Sequence, residues 1–185
     1  MNFPLHHIAS IQTGLFAKPG KEGEVVYLQS KHFDEDGRLL VTLHPDLPVG
    51  DISEKHILRP GDVLFAAKGT KNFAAVYESH NPPAVASTSF FVIRLRDKTI
   101  LPAYLAWYLN SNKAQQELKA QAIGTGIPSI SKQVLEMLEL NVPTLEKQEA
   151  VLKISTLFER EKRIRIEIEL LREHQIQQYI INAIK

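Results

Sequence analysis

The chain has 185 residues, 44% hydrophobic and 23% charged, with a formal net charge of +1 and no cysteine. That length suits one globular domain with an appendage, and the composition is that of a folded soluble domain. The lack of cysteine excludes disulfides, thiolate zinc sites and cysteine nucleophiles, and no apolar run is long enough to span a bilayer.

The opening MNFPLHHIAS has no basic region followed by an apolar run, so it does not read as a signal peptide, and a cytoplasmic protein is expected. Residues 1–143 are expected to form an α+β domain, a compact twisted β-sheet with short helices. Residues 25–29, 39–43, 61–67 and 73–78 are short β-rich runs punctuated by Asp36-Gly37 and Pro60-Gly61. Residues 84–96 hold a longer strand, in which Phe91, Ile93 and Leu95 alternate with Phe90, Val92 and Arg94. Pro102 then opens a helical run, PAYLAWYLNSNKAQQELKAQA, with Tyr104, Leu105, Tyr108 and Leu109 spaced to face the sheet. The glycines of residues 124–129 end it. Ser131 suits the N-cap of a short helix through Leu138, residues 140–142 suit a last strand, and Pro143 closes the domain.

Residues 144–183 contain neither Gly nor Pro and are rich in Leu, Ile, Glu, Lys, Arg and Gln. This is strong helix composition, with Thr144 as a cap and Glu146 and Glu149 near the positive end of the dipole. Residues 144–185 are thus expected to be one long helix of roughly 60 Å. Ile154, Leu157, Ile164, Ile168 and Leu171 form an apolar stripe, interrupted by Glu161 and Gln175. Ile176, Ile180 and Ile184 extend it with a shift in phase. So long a stripe needs another helix, which points to a two-helix coiled coil with another chain; the bland alternative folds the helix back on its own domain.

Charge gives little sign of a nucleic-acid partner. Residues 1–143 carry 14 Lys+Arg and 14 Asp+Glu, so a DNA-binding surface would need its cations gathered on one face. Asn81-Pro82-Pro83-Ala84 imitates the Asn-Pro-Pro-aromatic motif of amino-group DNA methyltransferases, but alanine replaces the aromatic, and a turn is the simpler reading. Gly124-x-Gly126-x-x-Ser129 imitates a dinucleotide fingerprint but follows a helix and lacks the third glycine. Its Thr125 and Ser129 hydroxyls and backbone amides still suit phosphate oxygens. The seven histidines show no metal-ligand spacing, and no catalytic constellation is visible. Polar donors cluster in two loops. One holds Lys68, Gly69, Thr70, Lys71 and Asn72; the other holds Gln29, Ser30, Lys31 and His32, with Lys18 and Lys21 on the far side of the first strand. Lys reaches phosphates or guanine acceptors, and Asn and Gln pair with adenine, although either cluster could be a plain solvated loop.

Five segments, in order, carry a family resemblance. They are LHHIASIQTG from Leu5 to Gly14, LRPGDVLF from Leu58, Ala86-Ser87 ahead of Phe90 to Leu95, LPAYLAWYLNS from Leu101, and LNVPTLEKQ from Leu140. Together they resemble the specificity subunit of type I restriction-modification systems. A full subunit of that kind has two target recognition domains and two long helices packed antiparallel. This chain resembles a half-size form, with residues 1–143 as the recognition domain and 144–185 as the helix for dimerisation and methyltransferase docking. The resemblance implies that each chain reads one half-site of double-stranded DNA. It implies a homodimer through Ile154, Leu157, Ile164, Ile168, Leu171, Ile176 and Ile180. It implies recruitment of modification and restriction subunits, with S-adenosylmethionine, ATP and Mg used only by those partners and no cofactor, metal or catalysis in this chain. The DNA contacts are expected from Gln29, Ser30, Lys31, His32, Lys68, Gly69, Thr70, Lys71, Asn72 and Thr125. The alternatives are a protein-interaction adaptor acting through the long helix, and a stand-alone methyltransferase or nuclease fragment.

Overall fold

A computed structural model describes the whole chain except residues 1, 35–36, 39–42, 51, 70–71, 97, 123–127 and 185. The chain divides into two compact units, Met1–Leu145 and Glu146–Lys185. The first is a mix of short strands and helices and the second is a single helix, so the fold is α+β with one long C-terminal helix.

The first unit opens with β1 (Asn2–Pro4), a one-turn helix α1 (Leu5–Ile8) and β2 (Ala9–Thr13). Then follow β3 (Val26–Leu28), a 3₁₀ turn Ser30–His32, a second 3₁₀ turn Glu54–His56, β4 (Val63–Ala66) and β5 (Ala74–Val76). The unit continues with β6 (Ala84–Ala86), β7 (Phe90–Leu95), α2 (Pro102–Asn110), α3 (Asn112–Ala120), α4 (Lys132–Met137) and β8 (Glu139–Asn141). Among the described residues the strands form an antiparallel four-stranded sheet in the order β2-β7-β4-β5, a parallel pair β3-β6 and an antiparallel pair β1-β8. All four residues of β4 are buried, as expected of a central strand covered on both faces. One cover is a cluster joining Leu64, Ala66, Phe90 and Val92 to Val26, Leu28, Ala84 and Ala86 of the parallel pair. Helix α2 packs against β4 and β5.

Three expectations need adjustment. The run 84–96 is two strands, because the Phe90 amide donates to the Ser87 carbonyl (3.0 Å) and closes a polar turn between them. That turn lets β6 pair with β3 while β7 enters the larger sheet. The helix from Pro102 breaks at Ser111, whose backbone is extended and whose hydroxyl accepts from the Ala114 amide (3.3 Å), so it caps a second helix instead of continuing the first. The strand expected at 39–43 lies outside the described residues apart from Leu43.

The segments that carried the resemblance prove to be joints. Gly14 passes so close to β6 that a Cβ there would strike the Ser87 and Ala86 carbonyls, while its amide donates to the Phe90 carbonyl (3.0 Å). Gly61 sits at φ +93°, a left-handed conformation that favours glycine, and delivers Asp62 to β4. Asp62, 2% exposed, takes a bidentate ion pair from Arg94 of β7, Nε to Oδ1 at 2.7 Å and Nη2 to Oδ2 at 2.6 Å, and also accepts the Arg59 amide (2.8 Å). Those carboxylate hydrogen bonds raise the Arg94 pKa against the opposing effect of burial, so the guanidinium stays charged. Helix α2 is clamped at both ends. The Tyr104 and Tyr108 hydroxyls donate to carbonyls of β8 (3.1 and 2.7 Å), and the Asn110 amide brackets Ala74, accepting from its N–H (2.7 Å) and donating to its carbonyl (2.8 Å).

Candidate nucleic-acid interface

The two polar loops lie far apart in sequence, yet each ends on a phenylalanine. Phe33 follows the 29–32 loop, Phe73 follows the 68–72 loop, and Phe90 follows the 87–89 turn. The three rings meet in the core with centroids 5.5, 5.5 and 6.0 Å apart, a spacing at which aromatic pairs attract. Three polar segments therefore spring from one aromatic cluster. The 87–89 turn stitches the other two together: the Ser87 amide donates to the Leu28 carbonyl (2.8 Å), next to Gln29, and the Ala67 amide donates to the Ser89 carbonyl (2.9 Å), next to Lys68.

A fourth segment joins them. Lys68 forms a β-bridge with Ser129, the Gly69 amide donates to the Pro128 carbonyl (3.2 Å), and the Ile130 amide donates to the Ala67 carbonyl (2.9 Å). The C-terminal foot of the Gly124-containing loop is thus laced to the 68–72 loop. Gly69 allows this at φ +118°, with nothing within 4 Å of where a Cβ would stand. Thr125 itself, with Thr70 and Lys71, lies outside the described residues.

The remaining expected contacts divide by what their atoms already do. Lys31 and Lys68 are exposed. Gln29, Ser30 and His32 are half-buried on the 3₁₀ turn, and the Gln29 amide donates to His32 Nδ1 (3.2 Å). A ring nitrogen that accepts carries no proton, so the neutral ring presents Nε2–H as its donor. Burial first, and the Lys31 charge second, lower the His32 pKa against an opposing pull from Asp46, which favours that neutral ring. The Asn72 amide donates to the Ala66 carbonyl (2.8 Å), so this side chain braces its loop.

Two features were not singled out as contacts from sequence. The first is the Ser87-Thr88-Ser89 turn. Ser87 is buried, and its Oγ has no hydrogen-bond partner among the described residues. Such groups are rare in folded proteins, and a polar atom of a ligand or a water would be stabilised there. A run of three hydroxyl residues inside a β-rich stretch was the available signal. The second is Phe16, 75% exposed, on a segment fixed to the turn by the Leu15–Ser87 bridge and followed by the exposed Lys18 and Lys21. Among the described residues no three His, Asp or Glu side chains come together as a metal-ligand set, and no helix is long and apolar enough to cross a membrane.

The second unit is the helix α5 (Leu145–Ala183), 39 residues and about 58 Å long. Ile154, Leu157, Ile164, Ile168, Leu171, Ile176 and Ile180 are all exposed on it, as are Phe158, Ile166, Leu170, Tyr179, Ile181 and Ile184. Glu161, one of the two breaks in the stripe, is paired with Arg165 one turn on (2.7 Å).

A family model described as type I restriction modification DNA specificity domain matches residues 47–170. No match is found among curated proteins. Among solved structures, the fold is similar to the S subunit of a type I restriction-modification system from M. genitalium, with TM-score 0.58 at 14% identity over 86% of this chain and 39% of that one. It is also similar to the HsdS subunit from Thermoanaerobacter tengcongensis, with TM-score 0.63 at 18% identity over 87% of this chain and 37% of that one. A third likeness, TM-score 0.61 at 16% identity, covers 87% of this chain and 38% of one from a study of complex assembly and conformational transition of the type I R-M system. The chain spans about two fifths of each of these solved chains. With a match over two thirds of its length, the chain belongs to the type I restriction modification DNA specificity domain family.

Proposed function

We propose that this chain is the sequence-reading component of a cytoplasmic type I restriction-modification enzyme, reading one half-site of double-stranded DNA. The observation that carries this, beside the family, is that three polar segments spring from one aromatic cluster and a fourth is hydrogen-bonded to the second of them. Lys31, Lys68, Lys18 and Lys21 would position phosphates, while Gln29, His32 and the hydroxyls of the 87–89 turn would meet base edges. Thr70, Lys71 and Thr125 belong to the same loops and join the proposed contacts. Phe16, exposed next to that turn, would stack or wedge at the duplex surface.

In this reading α5 pairs with α5 of a second copy and also presents a surface to a modification subunit. Methyl transfer and cleavage belong to the partner subunits, which supply S-adenosylmethionine, ATP and Mg, and this chain is non-catalytic. The test is binding of the purified chain, with and without the modification subunit, to duplex DNA over a salt series. Affinity that falls linearly in log salt, and that drops on Phe16→Ala without loss of folding, supports the reading. No binding in either setting, or methyl transfer by this chain alone, refutes it.

A further inference from the structure

The Asn81-Pro82-Pro83 turn, which imitates a methyltransferase motif, has no part in the candidate interface. It lies at a cavity of about 380 Å³ in the first unit, walled by β5, by α2 and by the segment around Phe33. That volume falls within the range of small-molecule sites, about 300–1,000 Å³.

The depth of this cavity and its mouth differ in chemistry. Leu28, Phe33, Leu64 and Tyr77 line it and are at most 8% exposed, so the interior offers apolar surface and two aromatic rings. The exposed Arg38, Glu78 and His80 and the half-buried Asn81 line it nearer to solvent. Most of the polar atoms there are already engaged. Glu78 is paired with His80 (3.2 Å), and the Tyr77 hydroxyl donates to the Pro82 carbonyl (2.6 Å). The Asn81 N–H donates to the Glu78 carbonyl (3.1 Å) and closes the turn. The Asn81 side-chain amide, by contrast, has no partner among the described residues.

These features narrow the class of ligand. Arg38 and Glu78 balance in charge, so the described mouth has no excess of either sign to hold a phosphate or an ammonium group. Aromatic and apolar walls favour a flat ring. A carboxamide sets one acceptor beside one donor, which matches the edge of adenine: its oxygen accepts from the exocyclic amine while its nitrogen donates to the neighbouring ring nitrogen. We propose that this cavity is a binding site for an uncharged aminopurine ring of the adenine type, packed on the apolar walls and held at its amino edge by Asn81. Such a ring comes either as a free nucleoside or as a base of an unpaired strand.

Titration of the full chain with adenosine, followed by calorimetry and by the Phe33 ring resonances in NMR spectra, tests this. Saturable binding at one site, with a shift of the Phe33 ring, is expected. Purine riboside lacks the exocyclic amine and should bind about tenfold more weakly, as should adenosine to Asn81→Leu, the loss expected for one or two hydrogen bonds. Ala103 lines the cavity from an exposed position on α2, so Ala103→Phe should fill it and abolish binding while the melting temperature holds. A five-residue strand of deoxyadenosine separates the two sources. Affinity well above that of adenosine, and lost in both variants, assigns the ring to a strand; affinity no higher assigns it to a nucleoside. No saturable binding of either probe at millimolar concentration, or binding that Ala103→Phe leaves intact, overturns the site. Equal affinity for purine riboside, or no loss in Asn81→Leu, overturns the pairing with Asn81.

Discussion

Replacing Arg94 with methionine should destabilise the first unit far more than the 26% exposure of the arginine side chain would suggest. Asp62 is 2% exposed and accepts three hydrogen bonds, two of them from Arg94. The variant leaves this carboxylate buried with the Arg59 amide alone. Stranding one member of a buried ion pair costs about 3–5 kcal/mol. Unfolding entropy of about 2.1 cal/mol/K per residue, applied to a unit the size of Met1–Leu145, gives about 0.3 kcal/mol for each degree. The melting temperature should therefore fall by about 10–16 °C, followed by circular dichroism at pH 7.5. Replacing both partners, Asp62→Leu with Arg94→Met, should restore at least half of that loss, because no charge is left uncompensated. The salt dependence of DNA binding should not change, since Arg94 is a joint and not a phosphate contact. A fall below about 3 °C for Arg94→Met, or a coupling under about 1 kcal/mol in the double-mutant cycle, would refute this account of the motif.

Other expectations concern the interface. Gly14→Ala should destabilise the unit by about 1–3 kcal/mol through its collision with the Ser87 carbonyl, and DNA affinity should fall with it because the 87–89 turn is displaced; a wild-type melting curve would count against that contact. Lys31→Ala and Lys68→Ala should each lower the slope of log affinity against log salt by about 0.9, read by fluorescence anisotropy, and an unchanged slope removes that lysine from the interface. His32 and His56 have lowered pKa values, from burial first and then the adjacent lysines. The native state therefore binds fewer protons than the unfolded chain, so stability is held above about pH 6.5 and is lost as pH falls through the lowered native values. His32→Asn should flatten the decline of melting temperature between pH 7.5 and 5.5, and an identical decline would mean the ring titrates freely.

The long helix was plain in the sequence because forty residues without Gly or Pro leave few alternatives, and the cap at Ser131 and the helix start at Pro102 were read from local chemistry alone. What lay beyond reach was pairing at long range. Residues 84–86 and 90–95 look like one strand until β3 is known to claim the first of them. Ser111 sits in good helical composition, and only its capping bond shows the break. In the site, the sequence marked each polar loop and could not show that Phe33, Phe73 and Phe90 bring them together. Nor could it show that Asn72 braces its own loop, or that the buried Ser87 hydroxyl has no partner among the described residues. The motifs that carried the resemblance turn out to be Gly14, Asp62, Arg94 and Asn110 acting as joints. They mark the scaffold, whereas contacts to bases would come from loops that motifs do not mark.

The central claim is that this chain chooses which DNA sequence its partners modify. A genome-wide map of adenine methylation, made with the gene present, deleted, and carrying Lys31→Ala with Lys68→Ala, tests it most directly. The account expects one interrupted, palindromic methylation motif that vanishes on deletion and is weakened in the double variant. The same motif at full occupancy without the gene would contradict it.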